Sequence, residues 1–214
     1  VNQGRVTINL PGLRQIDADW PAVTVMNEIL GGGGFTARMV KKIRSDEGLA
    51  YSVGSYFNPG AFYTGTFTAL FQTKVPTVAY GIRLALAEME RIKREPVSED
   101  ELKVAKGSYI DSFPDTFGTK AIVAQVFAQM ELTGMPEAYY ETILERINAV
   151  TIADVQRVAQ KYLAPEKAAI LVVGGKAADL EAGDKEHPGK LSEVAKLPVV
   201  KLPLRDPLTM KPLK

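Results

Sequence analysis

The sequence predicts an α+β fold, a mostly antiparallel sheet with helices packed on one face. Three observations carry this reading. A strand-like segment opens the chain and an apolar one closes its first 175 residues. A two-stranded hairpin lies between them. Helical patterns follow the hairpin in succession, so strands and helices are segregated rather than alternating as in a parallel βα repeat.

The first strand, 5–12, alternates Val6, Ile8 and Leu10 against polar neighbours and ends at Pro11-Gly12. Asp17 or Asp19 is placed to cap the next helix, with Pro21 in its first turn. Val23, Met26, Asn27 and Leu30 share one face of that helix, and Gly31, Gly32, Gly33 and Gly34 end it. A second helix is expected over 35–46, with Phe35, Met39, Val40 and Ile43 at helical spacing and Gly48 as its stop. In the hairpin, Leu49, Tyr51, Val53, Ser55 and Phe57 fall on one face of the first strand. Tyr63, Gly65, Phe67, Ala69 and Phe71 fall on one face of the second. "NPGA" between them suits a tight turn centred on Pro59 and Gly60.

Val78, Ile82, Ala85, Met89 and Ile92 make a long amphipathic helix. Ser98 with Glu101 forms a capping box for a helix carrying Leu102, Ala105, Tyr109 and Phe113. Pro114 and Gly118 break it. Residues 119–132 read as another apolar helix closed by Gly134, and 139–147 as a shorter one. Thr151 with Asp154 caps a helix bearing Val155, Val158, Ala159 and Tyr162. "AAILVVGG" is a continuous apolar run and reads as a central strand. Beyond about Lys176 the apolar residues lose their period and prolines are spaced through the chain. The expected organisation is therefore a domain over 1–175 and a Pro-containing tail over 176–214. The tail is either extended on a surface or unstructured, and both readings stay open.

Hydrophobic residues make up 46% and charged residues 24%, an ordinary globular composition. Lys+Arg number 26 against Asp+Glu 25, a balance that argues against a nucleic-acid binder. Cysteine is absent, which excludes disulfide and thiolate chemistry and leaves the compartment open. The one histidine, His187, sits in "EHPG" and reads as a solvent-facing loop residue. One His and no Cys do not make a zinc site within this chain. No run is long and apolar enough to span a membrane. The chain starts at Val1, and reads as a piece of something longer.

Four consecutive glycines require a reason, since glycine is the residue most costly to order. They are not a P-loop, because no Lys-Ser or Lys-Thr follows Gly34 at the required spacing. They are not a dinucleotide fingerprint, because Thr36 stands where the third glycine belongs and a helix precedes the run. Two readings remain. One is an exposed flexible turn; the other is an open backbone surface that a ligand chain can approach closely.

The stretch "EILGGGGFTARMVKKIRSDEGLAYSVGSYF" resembles the second half-domain of pitrilysin/insulinase-type zinc peptidases, the group that includes mitochondrial processing peptidase. The pattern is helix, Gly-rich turn, "FTAR", helix, I-R-x-x-x-G-x-x-Y-S-V, then a hairpin, and the likeness extends over about 1–175. The resemblance implies a clamshell of two facing halves, one carrying an inverted zinc motif, H-x-x-E-H. This chain has no such motif, so it resembles the non-metal half, with zinc expected on a partner domain or subunit. The resemblance also implies that Arg44 and Tyr51 are lent to that zinc site. Gly31, Gly32, Gly33, Gly34 and Phe35 would meet the peptide substrate. Partners implied are the first half-domain or a zinc-bearing subunit, in a homo- or heterodimer. Two rival classes stand beside this: a non-catalytic scaffolding protein of the same fold, and a free-standing peptide-binding module using a sheet edge.

Overall fold

The computed structural model of the chain describes residues 2–175, 177–194 and 198–213. Four strands form one antiparallel sheet: β1 (Gln3–Pro11), β2 (Ala50–Asn58), β3 (Thr66–Lys74) and β4 (Ala169–Val173), in the order β2-β3-β1-β4. Period-two alternation puts Val6, Ile8 and Leu10 of β1 and Phe67, Ala69 and Phe71 of β3 on one face, all buried. Helices cover that face. They are α1 (Trp20–Asn27), α2 (Arg38–Val40), α3 (Val78–Arg94), α4 (Glu99–Ser112), α5 (Lys120–Thr133), α6 (Tyr139–Asn148) and α7 (Ile152–Tyr162). Two short helices follow, α8 (Ala177–Leu180) and α9 (Leu191–Val194).

The long helix is set by its apolar stripe: Val78, Ile82, Ala85, Met89 and Ile92 of α3 are all buried. Both capping boxes form, Ser98 with Glu101 at the start of α4 and Thr151 with Asp154 at the start of α7. Gly134 ends α5 at φ 66°, where a side chain would be strained. Although α5 is apolar in composition, Met130 is its one buried residue.

Five expectations are corrected. The apolar run read as a central strand is the edge strand β4, with Leu171 and Val173 exposed on its outer side. A continuous apolar run does not distinguish an edge from a centre. The β2–β3 connection is a loop over residues 59–65 rather than a tight turn. It folds back onto the end of β1, where Leu13 O accepts from the backbone N–H groups of Gly60 and Gly65 at 3.0 and 3.2 Å. Asp19 does not cap α1, because its own backbone is helical (φ −77°, ψ −10°). Its carboxylate instead accepts from Arg157 (2.7 Å), Lys161 (2.6 Å) and the Tyr162 hydroxyl (2.9 Å), tying α1 to α7. Phe35 does not join the apolar face of the second helix, because the chain is extended at Ala37 (ψ 140°) and α2 starts after it. His187 is not a solvent-facing loop residue: its side chain is 17% exposed and its ring packs at a tilt against Tyr80 of α3.

Candidate functional site

α1 runs straight into a π-helical turn over Glu28–Gly32, which carries the first glycines onto β2. The four glycines answer to different constraints. A Cβ on Gly31 would lie 2.4 Å from Ser55 Oγ and 2.7 Å from Ser55 N, so this residue is the point where the helix touches the strand. On Gly32 it would meet Asn27 Nδ2 at 2.6 Å, and on Gly33 the Glu28 carbonyl oxygen at 2.6 Å. Gly34 has φ +61° and open space around its Cβ position. A buried clamp fixes the arrangement: Asn27 Nδ2 donates to Ser55 O (3.1 Å) and Ser55 Oγ donates to Asn27 Oδ1 (2.8 Å). Sequence reasoning missed this pair. The available signal was two small polar residues, Asn27 and Ser55, each on a face otherwise reserved for apolar side chains.

After Gly34 the chain makes a short 3-10 turn, Gly34–Thr36, that leaves Phe35 69% exposed. α2 then continues as a π-helical turn, Lys41–Asp46, with Arg44 in its last turn, where a cation suits the helix dipole. Arg38 anchors the start of α2 to α4 by a two-pronged bond to Glu101, Nε to Oε1 at 2.6 Å and Nη2 to Oε2 at 2.8 Å. That bond and the Ser98 backbone N–H hold the Glu101 carboxyl down at about 2, against burial. Gly48, at φ +62°, reverses the chain, its N–H donating to the Arg44 carbonyl at 3.2 Å.

The strand that follows contains the decisive irregularity. Ala50 pairs with Thr73, yet Val53 pairs with Phe71, so β2 carries one extra residue. This β-bulge shifts the side-chain alternation at the head of the strand. Ala50 goes into the core, and Tyr51, expected on the same face as Val53 and Ser55, is turned out and 83% exposed. It is no core aromatic.

The bulge brings Tyr51 to Arg44. The guanidinium carbon lies 4.5 Å from the Tyr51 ring centroid and 4.4 Å from that of Phe35. Arg44 is thus packed against two exposed aromatic rings, each contact worth about 0.5–1 kcal/mol at an exposed site. Among the described residues its guanidinium has no carboxylate or carbonyl partner, and the Tyr51 hydroxyl has no hydrogen bond. Three residues singled out from sequence, Phe35, Arg44 and Tyr51, therefore form one cluster, with Gly34 leading directly into it. The arrangement presents a cation and a phenol, both unpaired, beside an open glycine backbone. Chemically it can hold an extended acceptor-rich chain or stabilise negative charge on an oxygen.

It cannot hold zinc by itself. No group of three His, Cys, Asp or Glu among the described residues is placed to bind a metal. The sole His lies against Tyr80, with Asp184 at 3.2 Å, and the sequence offers no second His or Cys to join it.

A family model described as the peptidase M16 inactive domain matches residues 1–109. An uncharacterised zinc protease of Streptomyces coelicolor is 28% identical over 161 residues, covering 75% of this chain and 35% of that protein. A non-peptidase homologue from Helicobacter pylori is 27% identical over 145 residues, 67% of this chain and 33% of that protein. The chain thus spans about a third of the length of these relatives. Among solved structures, a peptidase M16 inactive domain from Pseudomonas fluorescens superposes with a TM-score of 0.76 at 26% identity, over 82% of this chain and 42% of that one. A chain of Complex III2 from Candida albicans shares the fold, at a TM-score of 0.71 and 16% identity, over 81% of this chain and 43% of that one.

Proposed function

The chain belongs to the family of peptidase M16 inactive domains, and on that premise we propose that it is the non-metal half of a clamshell zinc peptidase. In this reading it lends Arg44 and Tyr51 to a metal site on another domain or subunit. The zinc belongs to that other half, and the partners are the first half-domain or a zinc-bearing subunit, together with a peptide. Residues 1–175 act as the domain and 176–214 as its tail.

One observation carries the reading: Arg44 and Tyr51 are brought together at the surface, and among the described residues their polar groups have no protein partner. Peptide hydrolysis gathers negative charge on the scissile carbonyl oxygen, and preorganised donors aimed at that oxygen lower the barrier. The guanidinium packs over the two rings, and among the described residues its N–H groups have no protein acceptor. The phenol supplies a second O–H. Gly34, open on its Cβ side, and exposed Phe35 flank these donors and let a peptide backbone come close, with Gly31, Gly32 and Gly33, packed on Ser55, Asn27 and Glu28, leading into them.

The test is Tyr51→Phe and Arg44→Lys, assayed for kcat/KM with the zinc-bearing half present. Tyr51→Phe keeps the ring and removes the donor. Arg44→Lys keeps the charge and removes the planar fork. Each is expected to lower kcat/KM by about 10²- to 10³-fold, the effect of losing an oxyanion donor. Melting temperatures should stay within about 2 °C, because mutations at exposed sites typically change stability by no more than ~0.5 kcal/mol. Unchanged turnover in both variants refutes the assignment.

The second reading, a scaffolding protein of the same fold, draws its support from the non-peptidase homologue. Under it, both variants leave peptide turnover at background and alter only assembly.

A further inference from the structure

α9 lies along α3 and α8 against the Val75–Thr77 turn that precedes it, with Leu180, Leu191 and Val194 packed against the core. Between α8 and α9 the chain forms a strap that makes a set of specific contacts on the exposed side of α3. The His187 ring packs against Tyr80 at a tilt, with centroids 4.9 Å apart and planes at 52°. Its backbone N–H donates to Asp184 Oδ1 at 2.6 Å, which closes the loop around the ring. Arg83 donates to the Pro188 carbonyl, and Gly189 passes so close that a Cβ there would meet the Arg83 guanidinium at 2.9 Å.

Tyr80 also faces the other way. Its hydroxyl donates to Glu47 Oε2 at 3.3 Å, while Lys42 Nζ donates to Glu47 Oε1 at 2.7 Å. Glu47 is the residue before Gly48, in the turn that sets Arg44 and Tyr51 side by side. The contacts thus run without a gap from His187 through Tyr80 and Glu47 to the Arg44–Tyr51 turn. We propose that His187 and Tyr80 are positioning residues for the Arg44–Tyr51 pair, the C-terminal strap acting through Glu47 to hold the turn that aligns the two donors. Their role in turnover rests on the function proposed above; the mechanical coupling does not.

The physical basis is the character of the turn. It follows a π-helical end, contains a left-handed glycine and leads into a β-bulge; backbone bonds from Glu47, Gly48 and Leu49 to Lys42, Arg44 and Ile43 close it onto its own helix, and Thr73 Oγ1 ties Leu49 O to β3, so its tie to α3 is the one the Glu47 side chain makes. Glu47 is the side chain there with partners on two elements, and Tyr80 supplies the one from α3. A strap that fixes the Tyr80 ring fixes the direction of that hydroxyl.

The experiment is NMR on the full 214-residue chain. It reads the Gly48 amide exchange rate and the Arg44 Nε–Hε resonance in His187→Ala, His187→Phe and Tyr80→Phe. His187→Ala removes the ring contact. His187→Phe restores an aromatic face. Tyr80→Phe leaves the ring contact intact and deletes only the bond to Glu47. Expected are an exchange rate at Gly48 about fivefold faster and a displaced Arg44 resonance in His187→Ala and Tyr80→Phe, the scale of one lost hydrogen bond. His187→Phe should return to wild type. An unmoved Gly48 and Arg44 in either His187→Ala or Tyr80→Phe overturns the coupling. So does a His187→Phe that behaves like His187→Ala. The readout needs no peptide and no metal. A failure of Arg44 and Tyr51 in turnover would remove the function proposed above and leave this result standing, and the converse also holds.

Discussion

Gly31→Ala separates a packed contact from a flexible turn. A Cβ at this position falls 2.4 Å from Ser55 Oγ and 2.7 Å from the Ser55 backbone nitrogen. The hydroxyl can rotate away, at the cost of its bond to Asn27. The nitrogen cannot, because β2 is held to β3 on its other side, so the helix end must lift from the strand. Overpacking of this kind costs about 1–3 kcal/mol. At about 2–4 °C per kcal/mol for a chain of this size, the melting temperature should fall by roughly 2–12 °C. Adding Ser55→Ala removes the hydroxyl but not the nitrogen, so the double variant should not recover. Gly34→Ala is the internal control. It meets nothing within 4 Å and pays only for its left-handed backbone, about 1–2 kcal/mol. Gly34→Asn should be milder, since asparagine tolerates that conformation, while Gly31→Asn should be worse than Gly31→Ala. The assay is calorimetry or far-UV circular dichroism melting of all five variants. A Gly31→Ala melting temperature within about 1 °C of wild type, or full rescue by Ser55→Ala, would refute the steric argument.

The purified chain should hold no stoichiometric zinc and cut no peptide alone, checked by elemental analysis and a peptide assay; one tightly held zinc per chain contradicts this. Stability should fall in acid. Asp19 is raised by burial, yet the bonds from Lys161, Arg157 and Tyr162 outweigh that and bring it down to about 2. Glu101 is held at about 2, chiefly by Arg38. Both carboxyls are depressed in the folded state, so their contribution is present above the unfolded pKa near 4 and is lost as pH drops toward about 2. Asp19→Asn should therefore be destabilising at pH 7 and nearly neutral at pH 2, measured as denaturant midpoints; an equal penalty at both pH values counts against the linkage.

Much of the fold was legible because it rests on local rules. The α3 stripe, the two capping boxes and the inward faces of β1 and β3 follow from spacing within a few residues, and each is found where spacing puts it. What the sequence did not disclose depends on partners far along the chain. β4 is apolar throughout, but its place at the sheet edge is a matter of topology. Asp19 has the residue type of a helix cap, and three side chains from α7 recruit it instead. Phe35 has helical spacing to Met39, but extended backbone at Ala37 takes it out of the helix. His187 stands in a turn-forming tetrapeptide, and only the fold brings Tyr80 under its ring.

The site shows the same division, and its one non-local feature decides what it can do. Residue types at 35, 44 and 51 could be named in advance, but a regular β2 would have sent Tyr51 inward beside Val53. The single extra residue between Ala50 and Val53 turns it outward and onto Arg44. Stability does not account for this outcome. Leaving a tyrosine 83% and a phenylalanine 69% exposed forgoes most of the roughly 1.5–3 kcal/mol that burying a large apolar side chain supplies. Two exposed cation–π contacts return about 0.5–1 kcal/mol each. Packing would be better served by a regular strand with its aromatic buried. What the bulge secures instead is position: a partly exposed guanidinium over two aromatic rings, with an exposed hydroxyl on one of them. Packing energy given up to present two donors that have no protein partner among the described residues fits the peptide-binding role proposed above.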